Sequence, residues 1–125
     1  MLDISKRIAE KIRTFDDIKH GNVYNLIQDD KANSNFIVVE LASLVGDYTK
    51  DYESYYDVKF NIVIISNQFD KGNNTSILLN NHFEKREIDF DDYVLTSIQL
   101  SNFSEKYAAT SYINTLTYTA SIYYK

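Results

Sequence analysis

The segment from Tyr56 to Ile64 constrains the fold more than any other part of the chain. Tyr56, Val58, Phe60, Ile62 and Ile64 fall on one side of an extended backbone, and Asp57, Lys59 and Asn61 fall on the other. A period of two over nine residues suits a strand that buries one face, and it cannot be laid onto a helix without splitting the apolar set. The polar side turns apolar at Val63 and Ile65. One end of this strand is therefore expected to be covered on both faces, while the other reaches solvent or a partner.

Neighbouring segments supply partners for it. Phe36-Ile37-Val38-Val39-Glu40-Leu41 is β-branched and apolar on both faces, which predicts an interior strand central in the sheet. Between Ser43 and Ser54 the apolar content falls and Gly46-Asp47 offers a turn, so the two strands read as a hairpin. Tyr93–Phe103 and Ser111–Tyr124 are two further strands. Val94, Thr96, Ile98 and Leu100 are expected on one face of the first, and Leu116, Tyr118, Ala120 and Ile122 on one face of the second. Ser104–Thr110 contains no Gly or Pro and reads as a longer, mobile hairpin loop.

Helical periodicity occurs twice. Ile4, Ile8, Ile12 and Phe15 make an apolar stripe on a helix over 3–15 that Asp3 can cap, with Lys6, Arg7, Glu10, Lys11 and Arg13 on the opposite side. The break at Asp70-Lys71-Gly72-Asn73-Asn74 predicts that a second helix runs from about Thr75 to Glu87, capped by Asn74 or Thr75, with Leu78, Leu79, His82 and Phe83 inward. Val23–Ile27 is a short strand candidate after His20-Gly21-Asn22, and Ile88–Asp92 reads as a connection. The expected architecture is α+β: a mostly antiparallel sheet of four to five strands with two helices packed on it, in the order α-β-β-β-α-β-β. At 125 residues, one domain over 1–125 is expected.

The chemistry-bearing residues are sparse. Cysteine is absent, which removes disulfides, thiolate metal sites and a Cys nucleophile. His20 and His82 lack an HxH or HxxxH partner; a capping or surface role is expected for His20 and a partly buried helix role for His82. No GxSxG elbow or phosphate loop occurs, because Gly21, Gly46 and Gly72 stand alone. Asp89-Phe90-Asp91-Asp92 could gather carboxylates, but it lacks calcium-loop spacing and reads as a solvated connection. No catalytic residue, metal or cofactor is expected, and the function is expected to be non-enzymatic.

Charge and hydropathy narrow the partners. A formal net charge of −5 opposes phosphate-driven nucleic-acid binding, and the one basic pair, Lys85-Arg86, sits between Glu84 and Glu87 on an expected solvated helix face. The longest apolar run, Ile62–Ile65, cannot span a membrane, and the amino-terminal residues lack a signal-peptide core, so neither membrane insertion nor secretion is expected. Eleven tyrosines are left to explain. Several alternate with charges through the hairpin, and Tyr combines a large apolar body with a polar tip, which suits a surface that becomes an interface. Tyr48, Tyr52, Tyr55 and Tyr56, with Lys106 and Tyr107 on the last connection, are the candidate contact residues.

The order of elements, from the helix Leu2–Phe15 through the long strand Tyr56–Ile65 to the closing pair Tyr93–Phe103 and Ser111–Tyr124, resembles the tail-terminator (tail-completion) proteins of long-tailed bacteriophages. That resemblance implies a structural virion protein, assembled in the host cytoplasm, that self-associates into a ring, commonly a hexamer. The ring would cap the tail tube, join it to the head-neck connector and carry no reaction. DNA could pass an acidic lumen without sticking. Another neck or head-closure component, or an unrelated α+β ligand-binding domain, would use a similar set of elements.

Overall fold

The computed structural model describes residues 2–25, 35–48 and 54–124. Two helices, α1 (Ile4–Arg13) and α2 (Phe69–Phe83), pack on one face of a six-stranded sheet. The strands are β1 (Asn22–Tyr24), β2 (Phe36–Tyr48), β3 (Ser54–Ser66), β4 (Ile88–Asp89), β5 (Tyr93–Ala108) and β6 (Ser111–Tyr124), in the spatial order β1-β2-β3-β6-β5-β4. All pairings are antiparallel except β1 with β2. The α+β class and the strand-forming segments agree with the sequence reading. Chain order becomes α-β-β-β-α-β-β-β, because Ile88–Asp89, read as connection, adds a short sixth strand against Val94 and Leu95.

The alternation in β3 places Val58, Phe60, Ile62 and Ile64 under the helices, all buried. They meet Ile4, Ile8 and Ile12 of α1, Leu79 and Phe83 of α2, and Leu116, Tyr118 and Ile122 of β6 in one apolar cluster. Phe60 lies at its centre, with its ring 5.4 Å from Tyr118 and 6.1 Å from Phe83. These four Val, Phe and Ile side chains buried from β3 alone contribute on the order of 6–12 kcal/mol, before the entropy of ordering them is subtracted.

Several boundaries differ from expectation for identifiable reasons. Asp3 makes no capping hydrogen bond to α1; its carboxylate instead accepts from Arg7 at 3.0 Å. β2 is not central. It lies one strand from the sheet edge, and it runs through Gly46-Asp47, which pair with Tyr56 and Tyr55 instead of turning. Residues 49–53, between the two strands, lie outside the described residues, as do 26 and 27 of the first predicted strand.

α2 begins at Phe69, six residues before the predicted start, and swallows the glycine read as its break. Gly72 is there because a Cβ would stand 2.6 Å from the Ser66 Oγ. Neither Asn74 nor Thr75 caps the helix; the capping position is Gln68, without a side-chain bond. α2 also ends at Phe83, so Lys85-Arg86 lies beyond it as an exposed turn, with Lys85 at φ 60°.

In β5 the inward set is Tyr93, Leu95 and Ile98, with Val94 and Thr96 on the other side. A register shift between Thr96 and Gln99, with Ser97 at φ 55°, reverses the alternation partway along the strand. The predicted long loop 104–110 is instead strand up to Ala108, closed by Ala109 and Thr110 alone, both at positive φ. β6 matches its predicted span and inward face.

Candidate interaction surface

The candidate contact residues separate into two groups at opposite ends of β6. At one end, Tyr55 and Tyr56 pair across strands with Tyr123 and Ile122. Tyr55 stacks on Tyr123 at 5.5 Å on the face away from the helices, and Tyr56 meets Tyr124 edge-on at 6.3 Å on the helix face. Tyr55 and Tyr56 are half-buried, while Tyr123 and Tyr124 are 42% and 51% exposed. Tyr48 closes the β2 ladder opposite Ser54, and Tyr52 lies outside the described residues.

At the other end, Tyr107 is 62% exposed and packs on Tyr112 at 4.9 Å, which in turn meets Phe69 of α2 at 6.0 Å. Lys106 is exposed on the opposite face of β5, across from Ile113. With a rise of about 3.3 Å per residue, the Tyr112 and Tyr123 ends stand roughly 36 Å apart. Cross-strand aromatic pairs of this kind hold their own side chains in place, so the rings present large apolar area with little entropy left to lose.

Two neighbouring features were not singled out from the sequence. Ile77 of α2, 55% exposed, and Phe103 of β5, 38% exposed, line an apolar groove with Leu100 and Leu116, edged by Asn73 and Asn80. Tyr123 and Tyr124 look, in sequence, like the ordinary Thr- and Tyr-rich end of a strand. Only pairing with β3 brings them beside the hairpin tyrosines.

The titratable groups are committed elsewhere. His20, for which a capping or surface role is expected, is buried. Its Nε2 lies 2.8 Å from the Ile65 carbonyl, which can only accept, so Nε2 carries the proton; Nδ1 then accepts from the Thr75 hydroxyl at 3.1 Å. Burial lowers the His20 pKa from its ordinary value, against the raising effect of the Ile65 carbonyl, and Lys71 lowers it further. His82 is half-buried, as expected, stacked on Phe15 at 3.8 Å and 2.7 Å from an Asp17 carboxylate oxygen.

The acidic segment is also engaged. Arg7 donates to Asp92 at 2.5 Å and to the Phe90 carbonyl at 2.8 Å, and its guanidinium lies 5.0 Å over the Tyr93 ring. The Arg7 hydrogen bond holds the Asp92 carboxyl below its usual range. Desolvation pushes the buried Tyr93 and Tyr118 hydroxyls up, so both stay neutral at physiological pH. Among the described residues, no three His, Asp or Glu side chains are grouped to hold a metal ion, and no helix is long and apolar enough to cross a membrane.

No family model matches the chain, and no curated protein matches it by sequence. Among solved structures, its fold is similar to that of a chain in the virion of the native gene transfer agent (GTA) particle, with a TM-score of 0.75 at 10% sequence identity. The likeness covers 96% of this chain and 94% of that chain, so the fold corresponds over nearly its whole length.

Proposed function

We propose that this protein is a structural component of a phage-like particle: a tail-terminator subunit that forms a ring, commonly a hexamer, on the last layer of the tail tube and joins it to the head-neck connector. The observation that carries this reading is the end-to-end fold likeness to a virion chain. Its location is then the assembled particle, and its partners are copies of itself, the tail-tube protein and the connector. The two aromatic groups fit that role. A ring is built from heterologous contacts, in which one surface of each subunit meets a different surface of the next. Tyr55, Tyr56, Tyr123 and Tyr124 at one end of β6, and Tyr107, Tyr112 and Phe69 at the other, are unlike aromatic surfaces at the two ends of the strands, suited to the components that such a ring would meet on its two sides.

Solution mass tests the proposal. Light scattering coupled to size exclusion, run over a concentration series with and without tail-tube protein, is expected to give a ring-sized species, either unaided or on adding tube protein. A strict monomer indifferent to tube protein would refute it.

A further inference from the structure

We infer that successive copies of the chain join edge to edge, the free length of β2 in one copy pairing with the free length of β5 in the next, so that one sheet continues from subunit to subunit. This deepens the ring reading and rests on it.

Among the described residues, the sheet has two long open edges. β1 covers β2 only at Phe36–Val38, which leaves residues 39–48 without a strand on that side among the described residues. β4 covers β5 only at Val94 and Leu95, and the Lys85 amide caps the Ile98 carbonyl at 2.8 Å, which leaves 99–108 open in the same sense. The two stretches are equal in length, and among the described residues each presents a row of backbone donors and acceptors with no strand partner on its outer side. Neither contains proline, and each carries exposed apolar side chains: Leu41 and Val45 on β2, Phe103 and Tyr107 on β5.

Strand direction favours a second copy as the occupant. β2, β3, β6 and β5 are successively antiparallel, so β2 and β5 run in opposite directions. A copy placed beside the first in the same orientation therefore brings β5 against β2 as an antiparallel ladder with both helix faces on one side. Repetition of one orientation is the geometry of a heterologous, closable assembly.

Side-chain facing agrees with pairing at mid-strand. Ser43 and Ser104 both lie on the face away from the helices, opposite Lys59 and Thr115 within their own sheet. With Ser43 set against Ser104 of the next copy, Leu44 meets Phe103 on the helix face and Val45 meets Asn102 on the other. The β2 register shift between Leu41 and Ser43 then places two residues against Glu105 and brings Glu40 opposite Lys106, an ion pair across the junction.

The chain has no native cysteine, so thiol cross-linking reads this contact directly. S43C, S104C and S43C/S104C are prepared at the two exposed serines and treated with a short bis-maleimide under the conditions that give the largest mass in light scattering. A ladder beyond the dimer is expected from the double variant, a dimer of one of each from mixed single variants, and no dimer from either single variant alone. K106E is expected to weaken association and E40K/K106E to restore it. Self-cross-linking of a single variant would overturn the inference in favour of a two-fold contact. A ring-sized mass without cross-links would overturn the edge pairing and leave the ring standing. A monomer under every condition, tube protein included, would overturn both.

Discussion

The turn between β5 and β6 is built from residues ill suited to it, and replacing them should stabilise the protein. Ala108 pairs with Ser111, so Ala109 and Thr110 form a two-residue hairpin loop, with φ of 51° and 64°. Positive φ at both central positions is what a type I′ turn demands, and Asn-Gly meets it at least cost. An L-residue with a Cβ loses about 1–2 kcal/mol in this region, and β-branched Thr110 belongs at the upper end. Thr110→Gly removes that strain but returns about 0.5–1 kcal/mol through the greater freedom of the unfolded chain. Ala109→Asn recovers part of the remainder, because Asn tolerates left-handed backbone better than Ala.

The double variant A109N/T110G should therefore gain about 1–2 kcal/mol. With an unfolding entropy of about 2.1 cal/mol/K per residue, each kcal/mol raises Tm by about 4 °C for a chain of this length, or about 4–8 °C in all. Thermal unfolding followed by circular dichroism, with urea titration as a check, measures the change. An unchanged or lowered Tm would refute the argument, since it would mean that the turn's backbone carries no strain that glycine can relieve.

Two other perturbations have defined outcomes. Phe60→Ala should cost about 3–5 kcal/mol in a urea titration, because the ring is fully buried between Tyr118 and Phe83; a loss below 1 kcal/mol would show that the core collapses around the gap. For His20 the folded pKa is lowered by burial, so on acidification the unfolded chain takes up this proton first. Its contribution is complete above the unfolded value of about 6.5 and is lost as pH falls from there toward the folded value. The urea midpoint should accordingly drop between pH 7.5 and 5.5, and the drop should be smaller in His20→Asn; equal slopes in the two proteins would refute the assignment.

Where side-chain period alone decides structure, the sequence was sufficient: β3, β6 and α1 could be placed from the spacing of Ile, Val and Tyr. The structure departs from the pattern of the sequence where a residue's conformation is set by something distant. Gly72 reads as a break until Ser66, from another element, is seen to occupy the space of its Cβ. Ala109-Thr110 carries no turn signal because the ladder on either side imposes the left-handed backbone. Ser97 reverses the facing of β5 by the same kind of local exception. The candidate contact residues were legible as individual tyrosines, but their division into two ends depends on β6 pairing with both β3 and β5, a relation that no local pattern encodes.

The layer beneath the first turns of α2 is hydrogen-bonded instead of oily. Ser66 and Thr75 hold His20, the Asn114 amide donates to Ser76 at 3.2 Å, and the Ser76 hydroxyl donates to the Gly72 carbonyl at 2.8 Å. Each of these groups is buried, so changing one strands the polar atom of another. Across related sequences, His20, Ser66, Thr75, Ser76 and Asn114 should therefore vary as a block or not at all, with Gly72 held beside them. Ile and Val positions around Phe60 should meanwhile exchange freely for one another, and that contrast in substitution pattern would identify distant relatives whose overall identity is too low to align.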